Sequence, residues 1–218
     1  MSMRVIEIFK SINGEGLKQG QLALFIRLAM CNLCCSYCDT KYSFINPQYK
    51  DMTVEEIVNI ALEAKIKNIT LTGGEPLIHS DVKNLIDSLL KHNFEVEIET
   101  NGSVSIVPFL DLKGISFTLD YKCPSSLEED KMNLDNYNYL TKGDCVKFVV
   151  GDLNDLNKAL YIIEKYNLIL KTNCLISPVF GKIEPKQIVE FLISNNLNEV
   201  RMQLQIHKFI WDPNLRGV

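Results

Sequence analysis

Between residues 31 and 40 the chain reads CNLCCSYCDT, which places four cysteines within eight positions. Thiols packed that closely in one loop suit three kinds of chemistry. A structural zinc ion wants four thiolate or imidazole ligands, usually as two separated pairs, and no separate CxxC pair occurs elsewhere in the chain. A redox dithiol uses one CxxC and leaves the other cysteines unexplained. An iron–sulfur cluster takes closely spaced thiolates from a loop. Three thiolates on a four-iron cube leave one iron open for a small-molecule ligand, so a fourth cysteine is one too many. Two spacings supply three: Cys31-x3-Cys35-x2-Cys38 and Cys31-x2-Cys34-x3-Cys38. Cys123, Cys145 and Cys174 stand alone. The last two fall in predicted strands, where a small buried hydrophobe is the simpler role.

The elements around this loop alternate. MRVIEIF (3–9) and LALFIRL (22–28) read as strands split by the turn-rich SINGEGLKQGQ. MTVEEIVNIALEAK carries a capping box, Thr53 with Glu56, ahead of apolar residues at helical spacing. NITLT is a strand ending in GGEP, DVKNLIDSLLKH a helix, and FEVEIE a strand ending in TNG. GISFTLD and CVKFVVG are strands and DLNDLNKALYIIEKY a helix. LILKTNCLI is a strand, EPKQIVEFLISNN a helix with Pro185 in its first turn, and NEVRMQLQ the last strand. Alternation at this spacing implies parallel pairing with right-handed crossovers. A full eight-fold barrel takes about 250 residues. This chain has 218 and spends some of them on the cysteine loop. The expectation is an α/β fold in one domain, a partial, incomplete TIM-like barrel with a mostly parallel sheet. Its active site would collect at the carboxyl ends of the strands.

Composition bounds the rest. Hydrophobic residues make up 46% and charged residues 23%, the balance of an ordinary globular protein. The net charge of −4, from 23 basic and 27 acidic residues, argues against a nucleic-acid partner. No stretch has the apolar length of a membrane span. The N-terminus lacks the apolar core of a signal peptide, so a cytoplasmic location is expected. Seven cysteines in a reducing compartment point to metal binding or catalysis rather than disulfides.

With aromatic Tyr37 before the last cysteine, the spacing Cys31-x3-Cys35-x2-Cys38 resembles the signature of the radical S-adenosylmethionine (SAM) superfamily. By that resemblance Cys31, Cys35 and Cys38 hold a [4Fe–4S] cluster and Cys34 is a bystander. GGEP at 73–76 resembles the superfamily's SAM-binding motif, in which glycines let the backbone approach the ligand. SINGEG (11–16), FIRLAMCNLCCSYCDT (25–40), LTGGEP (71–76), ETNG (99–102) and LQIHKFIWDP (204–213) together resemble the 7-carboxy-7-deazaguanine synthase family. The likeness covers nearly the whole chain. It implies a homodimer that uses SAM catalytically and requires Mg2+. Such an enzyme would turn 6-carboxy-5,6,7,8-tetrahydropterin into 7-carboxy-7-deazaguanine, with loss of ammonia, on the route to 7-deazapurines such as queuosine. An electron donor such as flavodoxin or ferredoxin would reduce the cluster.

The same resemblance distributes roles. Ile12, Asn13 and Gly14 would hold the pterin through backbone groups; Asn13 departs from the family's commoner glutamine. Arg27 ends a strand and can grip a carboxylate with two prongs, although an arginine there could equally be a surface residue. Glu15 would meet the pterin's donor edge or be solvated. Thr72, His207 and Pro213 would complete the substrate site, the last two within a covering tail at about 204–218. Tyr37, Cys38, Asp39 and Gly74 would contact SAM. So would Asp120, Tyr121 and Lys122, of which only Lys122 matches the family's Ser-Pro-Lys run closely, and Ser177, Pro178, Val179 and Phe180. Thr40, in a cluster loop at about 29–50, resembles the magnesium ligand; Mg2+ often takes few protein oxygens. Glu99 and Asn101 would face the same cavity.

Two other readings compete. An activase that installs a glycyl radical on a partner enzyme shares the compact barrel and the cysteine loop but needs an open face. A non-catalytic zinc or iron–sulfur module has no use for GGEP and ETNG at strand ends.

Overall fold

The computed structural model describes residues 2–213 and 215–218. One nine-stranded sheet runs through them, in the order β3-β1-β2-β4-β5-β6-β7-β8-β9. β1 (Ser2–Ile12) pairs antiparallel with β2 (Leu22–Leu28) and with the short edge strand β3 (Lys50–Thr53). From β2 onward every neighbour is parallel: β4 (Asn68–Gly73), β5 (Glu95–Thr100), β6 (Ile115–Lys122), β7 (Cys145–Val150), β8 (Asn173–Pro178) and β9 (Val200–Met202). β3 and β9 do not pair with each other, so the sheet is curved but open. Four helices link these strands: α1 (Val54–Ala64), α2 (Val82–Lys91), α3 (Leu153–Lys165) and α5 (Pro185–Ser194). The short α4 (Leu168–Lys171) and α6 (His207–Ile210) precede β8 and follow β9.

The pattern that positions the site is a two-residue alternation. On β5, Val96 and Ile98 face the helices, where Leu85, Ile86 and Leu89 of α2 meet them in the core. Their neighbours Glu95, Glu97 and Glu99 therefore point to the concave face. β4 offers Thr70 and Thr72 there, β6 Thr118, Asp120 and Lys122, and β7 Cys145 and Lys147. Parallel strands covered on both faces usually read as continuous apolar runs; these strands instead line a polar interior. α1 begins with the expected capping box, the Thr53 side chain accepting from Glu56 N–H at 3.2 Å and the Glu56 carboxylate accepting from Thr53 N–H at 2.7 Å.

Several details differ from the sequence-based expectation. Lys50–Thr53, expected as loop and helix lead-in, form β3 because they pair with Ser2–Val5 of β1. Leu168–Lys171 form α4 rather than the start of a strand, because Asn167 turns left-handed (φ 50°) and drives Leu168 into the core. β8 begins only at Asn173. The last strand stops at Met202, since Leu204 turns away to accept a hydrogen bond from Gln19 at 2.7 Å.

Candidate active site

The register β2–β4 pairs Leu28 with Gly73, which sets the cysteine loop and the GGEP turn side by side. Gly74 N–H donates to Leu28 C=O at 3.1 Å, and Glu75 N–H to Met30 C=O at 2.9 Å. A Cβ on Gly74 would stand 2.1 Å from Met30 O and 2.9 Å from Cys31 Cβ. Only glycine permits that approach. Glu75 is fully buried and accepts from Leu77 N–H, the Thr100 hydroxyl and Asn101 N–H at 3.0, 2.8 and 2.6 Å. It ties GGEP to ETNG. Burial raises its carboxyl to about 7 despite those donors.

The cysteine loop docks on the turn after β6: Ser36 N–H donates to Ser126 C=O at 3.0 Å and its hydroxyl to Ser125 C=O at 2.6 Å. Cys31, Cys35 and Cys38 line a cavity of about 710 Å³ at the carboxyl ends of the strands. Cys34 is exposed outside it, its N–H bonded to Glu128 at 2.8 Å. Burial raises the thiol of Cys31, and that of Cys35 to about 11. Such thiols stay protonated until a metal displaces the proton. All the cysteines are free. Three inward thiols, with a glycine-only backbone approach beside them, fit a cluster that leaves one corner to a small ligand.

The cavity floor is charged. Lys147 Nζ lies 3.1 Å from Glu15 Oε2 and 3.3 Å from Asp120 Oδ1, and Lys122 Nζ lies 2.6 Å from Asp120 Oδ2. Burial works against charge on Lys147, but Asp120 and then Glu15 outweigh it and hold its pKa well above the usual value. Burial works against Glu15 too, and Lys147 overrides it, so the carboxyl is held low. Gln205 adds a bond to Glu15 Oε2 at 3.1 Å, while Glu15 Oε1 is buried without a hydrogen-bond partner. That oxygen has no exposed surface, and the buried Ser177 hydroxyl beside the carboxylate joins Gln205 in holding its pKa low. Arg27 Nε donates to Glu7 Oε1 at 2.8 Å, an oxygen that also accepts from Tyr42 O–H at 2.9 Å. The Arg216 guanidinium stacks 3.9 Å above the Tyr42 ring.

The tail is stitched to the NGEG turn. Gln203 exchanges two hydrogen bonds with the backbone of Gly16 (3.0 and 2.8 Å), and Ile206 N–H reaches Gly14 C=O at 3.2 Å. A Cβ at Gly14 would lie 2.0 Å from His207 Nδ1, so the imidazole packs directly on that glycine. Lys208 reaches across to Asp39 at 2.9 Å.

Of the residues singled out in the sequence, Ile12, Gly14, Glu15, Arg27, Tyr37, Asp39, Thr40, Thr72, Gly74, Glu99, Asn101, Asp120, Lys122, Val179, Phe180, His207 and Pro213 line this one cavity with the three thiols. Four do not. The Asn13 side chain lies beneath the floor, accepting from Thr70 O–H at 2.7 Å and reaching Glu97 at 3.4 Å. Tyr121 turns toward the helix layer, its hydroxyl on Glu129. Ser177 is buried, and Pro178 lines a smaller neighbouring pocket. Sequence reasoning missed Glu7, Tyr42, Lys147, Gln205, Lys208 and Arg216. For Lys147 a signal existed: it is the charged residue within the apolar strand CVKFVV.

An open parallel barrel with three thiols at its carboxyl edge is the form of the radical SAM class, and the Radical SAM superfamily matches residues 26–119. The 7-carboxy-7-deazaguanine synthase of Clostridium acetobutylicum is 53% identical over the whole of both chains. The synthase of Methanospirillum hungatei is 46% identical over 97% of this chain and 86% of its own length. The chain belongs to the 7-carboxy-7-deazaguanine synthase family. In three dimensions it is similar to QueE from Escherichia coli, with TM-score 0.72 and 21% identity over 94% of each chain. Streptococcus suis SuiB bound to its precursor peptide SuiA shares the fold at TM-score 0.63 and 13% identity, over 83% of this chain and 48% of that one. No helix among the described residues is long and apolar enough to cross a membrane.

Proposed function

We propose that this protein contracts the ring of 6-carboxy-5,6,7,8-tetrahydropterin to 7-carboxy-7-deazaguanine with release of ammonia, in queuosine-type 7-deazapurine biosynthesis. The observation that carries the reading is one cavity lined by three thiols, an arginine and the Glu15 carboxylate, with a tail stitched across it. Cys31, Cys35 and Cys38 would hold a [4Fe–4S] cluster. With SAM bound, that group supplies hydrogen-atom abstraction from carbon.

The protein's own work is placement and shielding. Arg27, with Nε occupied by Glu7, turns its remaining N–H groups to the substrate carboxylate. Glu15, kept ionised by Lys147, accepts from the pterin's N–H edge. The backbone at Ile12, Asn13 and Gly14 and the side chains of Thr72, His207 and Pro213 frame the ring. Gly74, Tyr37, Cys38, Asp39, Asp120, Lys122, Val179 and Phe180, which line the same cavity, would hold SAM. Tyr121, Ser177 and Pro178 contribute through backbone alone. Thr40, whose hydroxyl lies 3.5 Å from Cys38 Sγ, would offer an oxygen to Mg2+. Residues 29–50 act as the cluster loop and 204–218 as the substrate cover. The protein works in the cytoplasm as a homodimer, reduced by a flavodoxin- or ferredoxin-type donor.

The test is turnover of the pterin by the reconstituted protein with no second polypeptide present. A cluster that cleaves SAM and leaves the pterin unchanged would move the chain to the activase reading.

A further inference from the structure

Asn101 sits at the end of β5 and is 6% exposed, with its side chain against the cysteine loop. Its Oδ1 accepts two hydrogen bonds, from Ser103 N–H at 2.9 Å and from the Ser103 hydroxyl at 2.6 Å. An oxygen held by two donors fixes which way the amide faces. Its Nδ2 is thereby turned to two acceptors, Asn32 Oδ1 at 3.0 Å and Cys31 Sγ at 3.7 Å. The arrangement is braced further out. Asn101 N–H is bound by the buried Glu75, and the Asn32 amide donates to Ser103 Oγ at 2.8 Å. The side chain thus spans the two loops, its oxygen anchored at Ser103 and its Nδ2 hydrogens shared between Asn32 and the Cys31 sulfur. An apolar residue of the same size would keep the packing but lose the N–H directed at the sulfur.

Resting on the reading that Cys31 carries a cluster iron, we infer that Asn101 is a positioning residue for that ligand, its amide donating to the Cys31 sulfur to orient the thiolate and ease reduction of the cluster. A donor at a thiolate offsets its negative charge. Reduction adds more negative charge to the cluster, so the donor favours the reduced form and raises the potential. Asn101 touches no reacting atom in this account. It acts through Cys31, and its signature is a potential rather than a lost ligand.

The experiment is an EPR-monitored redox titration of the reconstituted protein without SAM, with iron and sulfide content measured on the same samples. Asn101→Ala should load a full cluster whose midpoint potential is shifted to more negative values. Ser103→Ala, which removes the hydroxyl donor at the amide oxygen and the Ser103 bond to Asn32 but keeps the Ser103 N–H donor, should shift it the same way by less. That variant keeps the inference testable if Asn101→Ala does not fold. A full cluster with unchanged potential in both variants would overturn the inference and leave the cluster reading intact. A wild-type protein that takes up no iron through Cys31 would overturn the reading itself.

Discussion

The carboxylate of Glu15 and the ammonium of Lys147, 132 residues apart in sequence, meet at 3.1 Å on the floor of the cavity. Each keeps the other charged where burial would neutralise both. The pair fixes the NGEG turn against β7 and sets a charged carboxylate at the cavity wall. Removing one partner of such a pair strands the other, which typically costs about 3–5 kcal/mol. Lys147→Met should therefore lower the unfolding free energy of the apoprotein by ~3 kcal/mol in urea titrations. It should also weaken pterin binding by at least about tenfold, because Glu15 then takes up a proton. Unchanged stability would show that the pair contributes nothing net.

The ligand assignment makes a sharp contrast among four adjacent cysteines. Cys31→Ala, Cys35→Ala and Cys38→Ala should each lose the reconstituted iron and the broad visible absorbance of a cluster. Cys34→Ala should keep both, because its side chain is exposed outside the cavity. Iron analysis after anaerobic reconstitution checks this. Loss in Cys34→Ala with retention in Cys35→Ala would reverse the assignment.

Gly74→Ala is a steric prediction. Its methyl would lie 2.1 Å from the Met30 carbonyl, so the GGEP turn and the cysteine loop must separate. SAM affinity, read by equilibrium dialysis on the loaded enzyme, should fall by about 100-fold or more. Gly143→Ala, where a methyl would meet nothing nearer than 3.5 Å and φ is not positive, is the control.

Glu97 gives a pH prediction. Burial, then the neighbouring Glu99, raises its carboxyl to about 7. A pKa raised by folding favours the native state fully at low pH, and that advantage is lost as pH climbs through the folded value. Wild-type apoprotein should therefore lose stability relative to Glu97→Gln between about pH 4.5 and pH 7, by ~3 kcal/mol across the window. Melting temperatures of the two proteins, measured over that range, should diverge steadily. Parallel curves would mean that Glu97 titrates like an exposed carboxylate.

Arg27 is held by Glu7 through Nε alone, so loss of Glu7 should misplace the guanidinium without removing it. Glu7→Gln is expected to raise KM for the carboxylated pterin several-fold, and Arg27→Ala by about 100-fold, with a smaller change in kcat. Steady-state kinetics on both variants decides it. An unchanged KM in Arg27→Ala would remove this residue from the carboxylate site.

What could be read from the sequence was what lies close together along it. The cysteine loop and GGEP are short runs whose residue types carry their chemistry, and the α1 capping box spans only four positions. The two-residue alternation in EVEIET was also visible, but which face was concave depended on the curvature of the whole sheet. Lys147, Gln205 and Arg216 reach the site from elements far from the cysteines, and no local pattern announces such a meeting. Asn13 shows the opposite limit. Its place within NGEG marks a binding turn, yet its side chain is taken by Thr70 beneath the floor. Leu168–Lys171 were ambiguous because a short apolar run fits either a strand or a buried helical turn.

The most direct measurement is anaerobic incubation of the reconstituted protein with dithionite, SAM, Mg2+ and 6-carboxytetrahydropterin, followed by mass spectrometry of pterin, product and SAM in one sample. The account predicts 7-carboxy-7-deazaguanine accumulating over several turnovers without matching loss of SAM. SAM consumed while the pterin stays intact would contradict it.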